Sequence, residues 1–374
     1  MKFKKALKRI GMGIIGIVGL IILIIVVFVN FSPELGGTIS KSQKAKYASS
    51  NNYKDGAFEN RGGVEMSMGF SDMVKTSIKF FQSQPNTKPD SPIPVQKVDS
   101  AEIADYKGKT RLIWFGHSAF LLQMNTKTIL IDPMFGDVPA PHPWLGNKRF
   151  STELPIEVEK IPLIDAVIFS HDHYDHLDYG SVLKLKDKVK MFYVPLGVGV
   201  HLEKWGVSSD KIVEMDWWEE TTLEDLSIKC TPAQHFSGRG MTNRGSTLWA
   251  SWIIQSSSQN IFFSGDSGYG SHFKEIGDKF GPFDFAMIEC GQYNEMWKEI
   301  HMMPEETAQA AVDLNAKEMM PIHWGAFKLA LHPWTEPVNR LSVKAAELNV
   351  KVATPRIGEE YTIGENLQTN FWWK

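Results

Sequence analysis

The stretch Ser170-His171-Asp172-His173-Tyr174-Asp175-His176-Leu177-Asp178 constrains this chain more than any other. It sets three histidines and three acids in nine residues, directly after the apolar run from Ala166 to Phe169. That order predicts a short buried strand ending in a loop of metal ligands. In an extended segment, residues i and i+2 point the same way, so His171 and His173 suit one metal. Asp175 and His176 come after the chain turns and are placed for a second. Imidazole and carboxylate ligands suit Zn²⁺, and Mn²⁺ or Fe would also fit. Further ligands must come from downstream. The candidates are His235 after Pro232-Ala233-Gln234, Asp266 in Ser264-Gly265-Asp266, and His323 in Pro321-Ile322-His323-Trp324-Gly325.

From Thr110 the chain alternates short apolar runs with turns. Strands are expected at 111–115, 119–124, 128–131, 166–170, 191–194, 227–231, 248–254, 261–264, 285–289 and 318–322. Helical spacing appears at 304–314 and 338–348. Many strands with interspersed helices predict two packed sheets covered by helices, an α/β (α+β) architecture. Asp132, His171, Asp266 and His323 each fall at an expected strand end, where ligands from separate strands converge on one sheet edge.

The N-terminus has a different character. Residues 1–9 carry Lys2, Lys4, Lys5, Lys8 and Arg9 with no acid, and residues 10–31 are almost wholly apolar and uncharged. About 20 apolar residues suffice for a membrane-crossing helix. The basic flank predicts a single-pass anchor in the cell membrane, with a cytoplasmic N-terminus and the rest extracytoplasmic. A cleaved signal peptide is the competing reading, but the apolar core is long and no A-x-A pattern follows it. Residues 32–108 read as a polar linker and wrapping arm. Within it Phe70, Met73, Val74, Ser77, Ile78 and Phe81 follow helical spacing, with Asp72, Lys75, Thr76 and Lys79 on the other face. Residues 109–374 form the expected catalytic domain.

A net charge of -3 argues against broad nucleic-acid binding. Cys230 and Cys290 stand alone, without a CxxC pair, and leave one bridge open. The 12 tryptophans are read mainly as core residues, with a large apolar substrate or a membrane surface as the alternative.

The ligand run His171-x-His173-x-Asp175-His176, followed by His235, Asp266 and His323, resembles the metallo-β-lactamase superfamily. Trp114-Phe115-Gly116-His117-Ser118, Gly146-Asn147-Lys148-Arg149-Phe150, Ser237-Gly238-Arg239-Gly240 and His301-x-x-Pro304-Glu305-Glu306 narrow the resemblance. They point to N-acylphosphatidylethanolamine-hydrolysing phospholipase D and its bacterial relatives. The likeness runs from about residue 109 to the C-terminus. It implies a four-layer αββα sandwich with two zinc ions at its edge. By that resemblance His171, His173 and His235 hold the first zinc, Asp175, His176 and His323 the second, and Asp266 bridges. Asp132 would orient a ligand histidine, and His301 is a further active-site histidine.

The chemistry then expected is hydrolysis of a phospholipid phosphodiester by metal-activated water, with Asp175 and His301 in the catalytic set. His301 is the candidate donor to the leaving alcohol. Lys148 and Arg149 are candidates for holding phosphate, or else surface and packing residues. His117 is read as a structural hydrogen-bonder. The alternative activity is hydrolysis of a small ester, lactone or amide on the same fold. A di-iron oxidoreductase and a non-enzymatic metal protein fit the chain less well, since it has no room for a flavin-carrying domain and its ligand set is complete.

Overall fold

The computed structural model describes residues 2–64, 70–82, 84–365 and 367–374. Helix α1, Lys2–Phe31, has an apolar length with exposed side chains, and Phe3–Phe31 is long and apolar enough to cross a membrane. The arm comes next as α2 (Lys41–Tyr47), a hairpin of β1 (Tyr53–Lys54) and β2 (Ala57–Phe58), then α3 (Phe70–Phe81) and α4 (Ser100–Ala104). Ser40 starts α2 with a capping box, taking a bond from the Gln43 amide while the Gln43 side chain returns to the Ser40 amide. The arm packs closely on the β-rich domain behind it: Tyr47, Phe58 and Ile93 are buried in the main core. In α3 the side chains of Phe70, Asp72, Met73, Val74, Ser77 and Phe81 lie outside the described residues. Thr76, expected on the polar face, is buried and its hydroxyl reaches Met296 Sδ at 3.4 Å.

The first sheet begins with β3 (Arg111–Trp114), β4 (Phe120–Met124), β5 (Lys127–Ile131) and β6 (Ile164–Ile168). It continues through α5 (Tyr179–Leu185), β7 (Val189–Pro195), α6 (Gly199–Lys204) and β8 (Ile212–Met215). The second sheet comprises β9 (Glu220–Leu223), β10 (Leu226–Thr231), β11 (Ser251–Gln255) and β12 (Asn260–Phe263). After α7 (His272–Phe280) come β13 (Phe285–Glu289), α8 (Pro304–Asp313) and β14 (Met319–Ile322). Helix α9 (Glu336–Glu347) and strand β15 (Glu360–Thr362) close the chain, β15 pairing back onto β3. The strand orders are β15-β3-β4-β5-β6-β7-β8 and β14-β13-β12-β11-β10-β9.

Period-two alternation sorts these strands into layers. Leu112, Trp114, Phe120, Leu122, Ile129 and Ile131 point inward to meet Ile228, Trp252, Ile254, Phe263 and Met287 of the second sheet. Their neighbours Ile113, Leu121, Leu130 and Val167 point outward, beneath Val182 and Leu185 of α5 and Leu202 of α6. On the far side Ile253, Phe262, Ala286 and Ile288 lie under Phe273, Ala308 and Leu341 of α7, α8 and α9. The result is the expected αββα sandwich with helices on both outer faces. Cys230 sits in the central layer and Cys290 in an outer one, both free and buried. The parallel strands β5, β6 and β7 end together, as do β12, β13 and β14, and these C-terminal ends lead into the ligand loops.

Candidate metal centre

Each ligand segment starts where a buried strand runs out. Asp132 follows β5, His171 follows β6, His235 follows β10, Asp266 follows β12, and His323 follows β14. Three residues there hold left-handed backbone: His117 at φ 57°, Asp132 at 40° and His323 at 65°. Such conformations cost on the order of 1–3 kcal/mol each and persist where surroundings over-determine them. The His117 amide donates to Trp324 O, the His323 amide to His117 O, and the Asp132 amide to Ile168 O. The His117 and His323 turns are thereby stitched to each other across the two sheets, and the Asp132 turn to the neighbouring strand β6 of its own sheet.

The ligand donors fall into two groups. In the first, His171 Nε2 and His235 Nε2 lie 2.9 and 3.1 Å from His173 Nδ1. The second ring nitrogens of His171 and His235 are already committed. His235 Nδ1 donates to Ile300 O at 3.0 Å, and His171 Nδ1 meets Ser170 Oγ at 2.9 Å while that hydroxyl donates to Asp132. The Nε2 lone pairs of His171 and His235 therefore meet His173 Nδ1 at one point, an arrangement that a cation satisfies. Burial pushes all three imidazoles down, with neighbouring histidines adding to the effect; His173 falls to about 4. They are neutral at physiological pH, the form that binds metal.

The second group is built from charge. Asp266 Oδ1 lies 3.1 Å from His176 Nε2 and 3.0 Å from His323 Nδ1. Asp175 Oδ2 is 3.6 Å from His176 Nε2 and 3.9 Å from His323 Nε2. The other Asp266 oxygen faces the first group, 3.8 Å from both His171 Nε2 and His235 Nε2. Asp266 thus stands between the two groups. His176 Nε2 and Asp266 Oδ1 are buried and lack a well-aligned hydrogen bond, as ligand atoms without their cation would be. Burial opposes charge on His176, but Asp266, Asp175 and Asp132 outweigh it and hold its pKa well above the usual value. Burial pushes Asp266 up to about 7 against the pull of His176. The residues present fit a metal site at both groups.

Around these donors lie the residues that orient them. Asp132 takes bonds from the Ser170 amide (2.7 Å), Ser170 Oγ (2.5 Å) and His176 Nδ1 (2.6 Å). His117 Nε2 bonds Asp175 Oδ2 at 2.9 Å. His301 joins the cluster, its ring 4.9 Å from His235 and 5.2 Å from His323, and its Nδ1 is tied to buried Glu289. Asn60, from the arm, grips the His235 backbone on both sides: Oδ1 accepts from the amide at 3.0 Å and Nδ2 donates to the carbonyl at 2.8 Å. Neither Glu289 nor Asn60 stands out in the sequence. Glu289 has a legible signal, a lone acid at the end of an apolar strand; Asn60 has none.

Arg149 is a correction. Its guanidinium is buried, donating to Phe115 O, Met134 O and Gly136 O and lying 4.6 Å over the Phe327 ring. A buried cation whose Nη donors bond loop carbonyls holds that loop and is not available to clamp phosphate. Lys148 is exposed on that loop. Beside the first group a cavity of about 490 Å³ opens, with Phe58, Asn60, Val64, His235, Arg244 and Trp249 in its wall.

Comparison with known proteins agrees with this geometry. Residues 127–324 match the family model described as a beta-lactamase superfamily domain. An uncharacterized protein of Mycobacterium tuberculosis is 37% identical over 351 residues, 92% of each chain. N-acyl-phosphatidylethanolamine-hydrolyzing phospholipase D 1 of Caenorhabditis elegans is 31% identical over 266 residues, 67% of this chain and 74% of that one. The crystal structure of a possible metal-dependent hydrolase from Veillonella parvula superposes with a TM-score of 0.54 at 16% identity, over 68% of this chain and 100% of the other. With the family match running from β5 through β14, and the buried donors gathered at the edge of the sandwich, this chain belongs to the beta-lactamase superfamily as one of its metal-dependent hydrolases.

Proposed function

We propose that the protein is a membrane-anchored phosphodiesterase of the phospholipase D type, acting on N-acyl phosphatidylethanolamine-like lipids with two zinc ions. The observation that carries this reading is the cavity beside the first histidine group. It joins ligand His235 to an apolar wall of Phe58, Val64 and Trp249 and to the cation Arg244, stacked 4.0 Å over Phe236. A cavity that sets apolar side chains and the cation Arg244, among the polar Glu59 and Asn60, beside a metal centre suits an acylated phosphodiester. The similarity to the nematode phospholipase D over most of the sandwich supports it.

His171, His173 and His235 would hold one metal and Asp175, His176 and His323 the other, with Asp266 between. When bound, two such metals supply an activated water and neutralise charge developing on phosphate. The chain's own residues do the rest. Asp132 and His117 hold His176 and Asp175 in place through single directed bonds. Burial keeps the Glu289 carboxyl protonated and donating to His301 Nδ1, so the His301 Nε2 proton goes to the departing alcohol as Glu289 passes its own to Nδ1. Ala57, Phe58, Glu59, Asn60, Gly63 and Val64 of the arm line one side of the cavity.

The full chain, purified in detergent with zinc, should release N-acylethanolamine and phosphatidate from N-acyl phosphatidylethanolamine, read by mass spectrometry. Turnover of a lactone or carboxylic ester with none of the phosphodiester would overturn the reading in favour of a small-molecule hydrolase.

A further inference from the structure

The geometry points to a second membrane contact: the loop Asp137–Lys148, led by Trp144 and Leu145, seats in the bilayer surface and holds the metal-bearing edge of the sandwich against the lipid. This rests on the reading of α1 as a membrane anchor, and goes beyond it by assigning a bilayer-facing surface to the folded domain.

The first observation is an outlier. The protein has 12 tryptophans, all among the described residues. Trp144 alone among them is exposed, at 90%, and its neighbour Leu145 is 66% exposed. Both stand on a loop that is otherwise firmly held. The Arg149 amide closes it onto Asp137 O at 2.8 Å, and the buried Arg149 side chain bonds the carbonyls behind it. Three prolines, Pro139, Pro141 and Pro143, stiffen its backbone. A rigid loop that presents Trp and Leu to the outside, with Lys148 exposed beside them, has the composition of an interfacial membrane contact.

The second observation names the occupant. The last turns of α1 meet this loop: the Phe28 ring lies 6.3 Å from His142, whose ring lies 4.9 Å from Trp144. The end of the membrane helix and the exposed pair therefore share one side of the molecule. The chain leaving the helix is also clamped. Arg239 Nε and Nη2 donate to Glu34 O at 2.9 and 2.7 Å, Trp205 Nε1 donates to Pro33 O at 2.7 Å, and the Gly37 amide donates to His201 Nδ1 at 3.0 Å. Arg239 Nη1 meanwhile donates to Asp172 O and Leu177 O, on either side of His173–His176. One guanidinium thus ties the exit of the anchor to the metal-ligand loop, and Met241, 86% exposed, stands two residues away. With the anchor's exit fixed to the ligand loop, the metal edge and the Trp144 loop face the same bilayer.

The test uses the full chain in phosphatidylethanolamine–phosphatidylglycerol vesicles containing nitroxide-labelled lipid. Both native cysteines are buried, so a fluorescent thiol probe reports only an introduced site. Trp144→Cys places the probe on the loop. Leu163→Cys places it on a residue 71% exposed at the start of β6, at the opposite edge of the sheet from the ligand loop. The expected result is quenching at 144 at least threefold stronger than at 163. Equal quenching at the two sites in vesicle-floated protein overturns the proposal. A chain that does not float with the vesicles overturns the anchor reading beneath it, and flotation shows this before any quenching is read. The double variant Trp144→Glu, Leu145→Glu should lower turnover of bilayer lipid severalfold while leaving a water-soluble phosphodiester unaffected; equal loss on both substrates also overturns it. Neither quenching nor flotation depends on which lipid is cleaved, so failure of the phospholipase reading stays distinguishable.

Discussion

The two halves of the metal centre solve the problem of burying polar groups differently. His171, His173 and His235 are three neutral imidazoles whose nitrogens crowd one point, faced by Asp266 Oδ2 across 3.8 Å. Asp175, His176, His323 and Asp266 form a mixed set in which carboxylates and a protonated histidine partly compensate one another. The first half is a cradle that needs a cation; the second is an ion cluster in which a metal must displace a proton. The difference teaches that a single ligand motif can yield two sites with opposite responses to protons.

The largest break in this contrast should come from the first half. His173→Ala removes the nitrogen on which the other two converge, and should lower turnover by more than about 100-fold, beyond the 10–100-fold typical of outer partners. Metal content read by mass spectrometry should fall with it; retained metal and activity would show that the trio is not a ligand set. Next comes Asp132→Ala, which strips His176 of its Nδ1 partner and Ser170 of two bonds. An affinity loss of about 10–100-fold is expected, measured by competition with a chelator, with Asp132→Asn milder. Asn60→Ala frees the His235 backbone without touching a ligand. Its loss should lie near the lower end, about 10-fold, and be confined to the first half.

The smallest effect sharpens the contrast through pH, in the metal-free protein. His173 has its folded pKa lowered to about 4, against about 6.5 unfolded, so the unfolded chain binds the proton more readily. Stability is therefore lost as pH falls from about 6.5 toward about 4. His176 is shifted the other way by Asp266, Asp175 and Asp132, against burial; its contribution is fully present below about 6.5 and lost as pH rises through its raised folded value. Melting temperatures measured from acid to alkaline pH should show His173→Ala flattening the acid limb and His176→Ala the alkaline one, each by about 2–4 °C per kcal/mol. A common response in both variants would erase the distinction between the halves.

Much of this arrangement is legible in the residues. The ten strands expected from apolar runs correspond to β3–β7 and β10–β14. Edge strands β8, β9 and β15 escape the pattern, because half-exposed segments carry weak alternation. Helices α5, α6 and α7, of seven, six and nine residues, offer too few turns for helical spacing to stand out. All seven candidate ligands gather at one edge, as does His301. Arg149 shows the limit: a cation in a polar loop looks like a phosphate clamp until its carbonyl partners are seen.

By itself the sequence determined which chemistry this chain can perform. Donor type and spacing are properties of the residues, and few other roles suit six close-set titratable side chains behind a buried strand. The tertiary structure decided where those donors meet and what surrounds them. Asp266 stands between the two groups, Asn60 reaches in from more than a hundred residues away, Glu289 fixes His301, and Arg239 couples the chain leaving α1 to the ligand loop. Such contacts arise from how two sheets pack and where their strands end, and no local pattern encodes them, because packing joins residues that are far apart along the chain.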